Sequence, residues 1–141
     1  AQVLGAEVRP SGAKEIGWCE VKLKEAAVAD PLWKGVEQKF IGFHWHGDVF
    51  SLPAGATLLA SSAATRHQAF RHGAAYGLLF HLEVTEGIVR DMVRTWPEEL
   101  KQERLDGAAI VRGCADHLAG MKGIAETVFG RFAAMLGAAG S

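Results

Sequence analysis

Apolar and polar positions alternate through residues 15–23 (EIGWCEVKL), with Cys19, Val21 and Leu23 on one face of an extended segment and Ile16 and Trp18 on the other. A period of two is the mark of a strand. Residues 40–50 (FIGFHWHGDVF) are rich in aromatic side chains and read as a second strand running into a turn at Gly47-Asp48. Asp30-Pro31 marks a turn within a loop or short helix at 27–35, and Ser51-Leu52-Pro53-Ala54-Gly55 marks another. Thr57–Ser61 and residues 68–71 predict two short strands about a polar connection. The unbroken apolar run at 76–80 predicts a strand buried on both faces.

The period changes after residue 85. Residues 86–96 predict a helix, with Ile88, Met92 and Val93 among its apolar positions, that Pro97 ends. Ile110, Cys114, Leu118, Met121, Ala125, Val128, Phe132 and Met135 then recur at spacings of three and four, the stripe of an amphipathic helix. Gly113, Gly120, Gly123 and Gly130 each weaken that helix by roughly 1 kcal/mol relative to Ala, and so mark either close packing or a break. At the other end, Ala1 to Leu4 followed by Gly5 reads as the last turn of a helix with a glycine C-cap. A chain opening there is expected to have sequence upstream. No internal repeat is visible.

At 141 residues the chain is the size of one domain, and 49% hydrophobic residues suffice for a core. Fifteen Lys and Arg against sixteen Asp and Glu leave a net charge of −1 with no basic tract, which argues against nucleic-acid binding. The apolar runs fall short of the ~18 residues of a membrane span, and residues 1–15 hold charges and no apolar signal core. No membrane partner is expected. Cys19 and Cys114 could pair, but two distant cysteines suggest no disulfide framework, and a reduced, cytoplasmic protein is the expectation.

The candidate chemistry is concentrated at Tyr76-Gly77-Leu78-Leu79-Phe80-His81-Leu82-Glu83-Val84-Thr85. On extended chain, residues i and i+2 share a face, so Glu83 can accept a hydrogen bond from one ring nitrogen of His81 and fix its tautomer. The other nitrogen is then free to act as a base. That is the base-and-orienter half of a nucleophilic triad; a surface pair at a strand end is the bland alternative. A nucleophile is missing from this picture, because Cys19 falls inside a strand pattern and Cys114 on a helix stripe, where both read as core residues. His44 and His46 are also an i, i+2 pair. A metal would need a third ligand, and His67 and His72 show no ligand spacing, so no metal is expected. Trp18, Trp33, Trp45 and Trp96 could stack on a ligand, but aromatic residues at strand positions belong more often to a core.

The ordered motifs EIGW, FHWHGD, SLP, GATLLASS, QAFR and YGLLFHLEVT resemble the class I glutamine amidotransferases, most of all the branch similar to the amidotransferase domain of GMP synthase. The resemblance covers residues 1–96. It implies an α/β fold with a mixed sheet, of which residues 1–96 would be the C-terminal portion and 97–141 a helical extension of the same domain. It implies hydrolysis of the glutamine side-chain amide by a Cys-His-Glu triad, with His81 as the base and Glu83 as its orienting carboxylate. Where the family usually has Pro between these two and Gln before the Phe, this sequence has Leu82 and Leu79. The nucleophile elbow would lie roughly half a dozen residues before Ala1 and is absent from this sequence. Trp45 and His46 are implied to contact the substrate, partly through main-chain groups. No cofactor is implied; glutamine or a γ-glutamyl compound would be the substrate, with room for a synthetase partner to consume the ammonia. A fold lacking its first half is expected to cover its open edge with a second copy, giving a homo-oligomer. The rival reading is a non-catalytic interaction module that keeps the second half of the same fold.

Overall fold

The computed structural model describes residues 1–139. A single 3-10 turn, Gln2–Leu4, closes on Gly5, whose φ of 77° is the left-handed cap conformation that the opening residues suggested. The first strand, β1 (Val8–Leu23), is much longer than the alternation at 15–23 indicated. It pairs in antiparallel fashion with β2 (Lys39–Phe50) from Val8↔Phe50 to Lys22↔Lys39, with an irregularity between Pro10 and Glu15. The Gly47-Asp48 turn expected from sequence does not form. Asp48 pairs with Pro10, and Gly47 lets the stem of Lys14 lie where a side chain would stand, 3.0 Å from an ideal Cβ position.

The short helix α1 (Glu25–Val28) follows β1. β3 (Thr57–Ser61), β4 (Ala69–His72) and β5 (Ala75–Leu78) complete one sheet in the order β2-β1-β3-β4-β5. Every ladder among the described residues is antiparallel. β5 is therefore an edge strand, and its Tyr76, Gly77 and Leu78 are half-buried rather than enclosed on both faces as the apolar run predicted. The run has another cause: the ring of Phe70 covers Gly77 across the ladder, and Tyr76 meets Phe132 edge-on at 6.3 Å. Burial on both faces resumes only at Phe80, which is 3% exposed.

Helices follow in α2 (Glu86–Thr95), α3 (Pro97–Gln102) and α4 (Gly107–Ala139). Pro97 both ends one helix and begins the next, since its missing N–H is no loss in a first turn. α4 runs unbroken through all four glycines of the predicted stripe. Its Ile110, Cys114, Met121, Ala125 and Val128 join Phe43, Trp33, Leu59 and Val21 in one buried cluster, so strands and terminal helix share a core and the class is α/β. Asp106 accepts from the Ala108 N–H at the start of α4, and Arg131 near its other end donates to the carbonyls of Leu32 and Lys34. Among the described residues no helix is long and apolar enough to cross a membrane.

Gly113 lies where α4 passes over Trp18 of β1. An added Cβ would come within 2.4 Å of Trp18, whose indole N–H donates to the Ile110 carbonyl at 2.9 Å. Gly120 faces open space. Gly113→Ala is expected to destabilise the fold by ~1–3 kcal/mol through overpacking, and Gly120→Ala to stabilise it by up to ~1 kcal/mol. Opposite shifts of the urea midpoint for the two variants would bear this out; shifts of the same sign would contradict the packing described.

Candidate active site

Past β5 the chain bends at residues 79–80 and again at 82–83, leaving Phe80, Leu82 and Val84 buried and His81 and Glu83 more exposed. Three apolar anchors at alternating positions therefore turn the two polar residues outward together. The main chain is fixed to the middle of β2: the His81 N–H donates to the Phe43 carbonyl at 2.7 Å, and the Phe43 N–H returns a longer bond of 3.4 Å. On the far side, the Thr85 hydroxyl caps α2 by accepting from the Ile88 N–H at 3.3 Å.

His81 Nδ1 lies 2.7 Å from Glu83 Oε1. A carboxylate can only accept, so Nδ1 carries a hydrogen, and in the neutral ring the lone pair is then on Nε2. Burial pushes the Glu83 carboxyl upward, but hydrogen bonds from its own backbone, from His81 and from the Leu82 backbone outweigh that and hold it below the usual range. The pair is accessible, with side-chain exposures of 34% and 57%, and Glu83 borders an apolar groove against Leu118, Met121 and Phe129. The structure thus brings together the two residues singled out as base and orienter.

Trp45 and His46 follow Phe43 on β2, two and three residues past its bridge to His81. Their side chains are engaged elsewhere. The Trp45 indole donates to Glu99 Oε2 at 2.9 Å and packs on Trp96 at 5.7 Å. His46 turns to Glu15, with Nε2 3.4 Å from Oε2, while its Nδ1 lies 3.2 Å from the Asp48 carbonyl. Glu15 is buried. Burial raises its carboxyl, yet hydrogen bonds from His46, Ser62 and Thr65 prevail and bring it down to about 2. His44, fully buried beside it, is driven by burial to about 4 and is neutral at pH 7.

Glu15 went unmarked in the sequence pattern, although a signal was present. Extending the alternation of Leu23, Val21 and Cys19 backwards reaches Gly17 and then Glu15, a carboxylate on an inward face. The third acidic or imidazole group near His44 and His46 is this residue, and not His67 or His72. Both cysteines are free thiols, Cys114 buried and Cys19 half-buried, and burial pushes both thiols up. Neither has the electropositive surroundings that make a thiolate.

No protein-family model matches the chain. It is 32% identical over 116 residues to a protein named as glutamine amidotransferase-like, YfeJ of Salmonella typhimurium, a match taking in 82% of this chain and 48% of that protein. A solved glutamine amidotransferase from Thermotoga maritima superposes with a TM-score of 0.83 at 29% identity, over 93% of this chain and 56% of that one. A glutamine amido transferase from Methylobacillus flagellatus gives 0.81 at 29% identity, over 94% of this chain and 57% of that one. The chain spans about half the length of the relatives it matches.

Because His81 is one of the groups that hold the Glu83 carboxyl down, its removal should let that carboxyl titrate at higher pH. NMR titration of the Glu83 side chain in the parent chain and in His81→Ala checks this. An unchanged or lower midpoint in the variant would mean that the 2.7 Å contact does not persist in solution.

Proposed function

We propose that this chain, a member of the glutamine amidotransferase-like proteins, carries the acid–base half of a glutamine-hydrolysing triad, with His81 as the base and Glu83 as its orienting carboxylate. The observation that supports this most is the 2.7 Å hydrogen bond between them, which engages Nδ1 and leaves Nε2 as the free ring nitrogen of an accessible side chain. Cys19 and Cys114, with thiols raised by burial, are core residues in this reading. In this reading the nucleophilic thiol comes from a segment other than these 141 residues.

His81 Nε2 takes the proton from that thiol as sulfur attacks the side-chain amide carbon. The resulting imidazolium, stabilised by Glu83, gives the proton to the departing nitrogen and ammonia leaves. Water then attacks the thioester with His81 again accepting a proton, which returns to sulfur as glutamate is released. Thiol, imidazole and water account for every bond made and broken. The backbone at Trp45 and His46, next to the Phe43–His81 bridge, lines the substrate pocket, since both side chains are committed to Glu99 and Glu15. The substrate is a γ-glutamyl amide, glutamine being the simplest, and the ammonia goes to an acceptor activated by a synthetase partner.

The chain alone should release no more glutamate from glutamine than its His81→Ala variant. Joined in frame to the nucleophile-bearing half of a glutamine amidotransferase, it should gain glutaminase activity. His81→Ala should then cost on the order of 10⁴-fold or more in kcat, and Glu83→Gln less, because a base matters more than its orienter. Full activity in both variants of the joined chain would remove the assigned roles. A folded, joined chain without activity would favour the non-catalytic interaction module.

A further inference from the structure

A carboxylate and two imidazoles converge on the face of the β1–β2 ladder. The register sets Glu15 opposite His46 and Gly17 opposite His44, which brings the carboxylate and the two imidazoles together. One donor atom from each of Glu15, His44 and His46 lies within 4.8 Å of the others. A tetrahedral ion with bonds of ~2.0–2.1 Å to N and O separates its ligand atoms by ~3.3–3.4 Å. Glu15 Oε2 and His46 Nε2 stand 3.4 Å apart.

The hydrogen bonds around the cluster are those that ligands make outward. His46 Nδ1 faces the Asp48 carbonyl at 3.2 Å, which only accepts, so Nδ1 is the donor there, and Nε2, 3.4 Å from the Glu15 carboxylate, is the nitrogen that an ion would take in place of a hydrogen. A ring N–H donated to a main-chain carbonyl is how metal-bound histidines are oriented. The other oxygen of Glu15 accepts from the Ser62 hydroxyl at 2.6 Å, the corresponding support for a ligating carboxylate. Inside the cluster, by contrast, both ring nitrogens of His44 and the Gln68 amide oxygen lack partners. His44 is 0% exposed, and neither ring nitrogen makes a hydrogen bond of acceptable geometry, the Cys19 backbone offering only a weak one. Gln68 Oε1 is likewise buried and unpartnered, while its Nε2 lies 2.7 Å from Glu15 Oε2 and 3.4 Å from His46 Nε2. Buried polar atoms without partners cost ~1–3 kcal/mol each and mark the place of an ion or a water.

We infer that Glu15, His44 and His46 bind a divalent transition-metal ion of the zinc class, with Gln68 Oε1 as the fourth ligand once its amide is turned about Cγ–Cδ. Two imidazoles and one carboxylate suit zinc and not the oxygen-seeking Ca²⁺ or Mg²⁺. The site is enclosed and all four positions come from protein, so the ion is structural. It ties β1 and β2 to the connection between β3 and β4, where Ser62 and Gln68 lie.

The test strips the 141-residue chain with chelator, supplies Zn²⁺, removes the excess by gel filtration and measures metal by elemental analysis. About one zinc per chain should remain. Co²⁺ in its place should show the intense visible absorption of a four-coordinate ion, abolished by added zinc. His44→Phe, which keeps ring volume without a donor, and Glu15→Gln should each weaken binding by more than the roughly 10–100-fold that loss of an outer hydrogen bond costs. His81→Ala should retain the metal, which separates this site from the His81–Glu83 pair. Circular dichroism establishes that each variant is folded; if one is not, the wild-type cobalt spectrum decides. Absence of retained zinc in the wild type, a six-coordinate cobalt spectrum, or equal retention by His44→Phe would overturn the inference and leave water in the cluster.

Discussion

The ladder between β1 and β2 governs the rest of the molecule, because one register assigns its side chains to two opposed faces. Trp18 and Phe43 are directly paired and meet edge-on at 5.0 Å on the side that receives α4. Glu15 and His46 are paired on the other side, with His44. A slip of one residue would exchange the two sets. The helix would then rest on a carboxylate and two imidazoles, and the indole would lose its bond to the Ile110 carbonyl. Both arrangements of side chains follow from hydrogen bonds between backbones that carry no chemical identity of their own.

The same ladder reaches the accessible pair through Phe43. Its side chain is 0% exposed in the core while its backbone holds His81. Removing that ring would cost ~3–5 kcal/mol in packing, and it would also loosen the strand segment against which the base is held. Phe80, Leu82 and Val84 add the alternating anchors, and the Thr85 cap starts α2 immediately afterwards. Nothing in this mounting uses Glu83 itself, which leaves its carboxylate free to orient the imidazole.

Two sequence readings gave way to the fold, and a third held but was incomplete, for identifiable reasons. Gly47-Asp48 has the composition of a turn, but Gly47 is needed where the Lys14 stem crosses β2 on its way to Glu99. Pro97 was read as a stop; it is also a first helical residue, since α3 begins there. The apolar run at 76–80 looked like a fully enclosed strand, but it lines an edge. There Phe70 covers Gly77 and Phe132 covers Tyr76, both from elements remote in sequence.

What the chain determined by itself is what period and local chemistry can encode. Alternation marked the second half of β1, aromatic and apolar runs marked other strands, three-and-four spacing placed the long helix, and the i, i+2 relation put His81 and Glu83 on one side. The ordered motifs also pointed to the kinship that sequence and fold comparisons bear out. What the tertiary structure alone decided is which distant residues meet. Glu15 lies 31 positions before His46 and 53 before Gln68, yet their side chains share one buried cluster. Neither the pairing register nor the crossing of α4 over Trp18 is written in local periodicity, because both are settled by burial summed over the whole sheet.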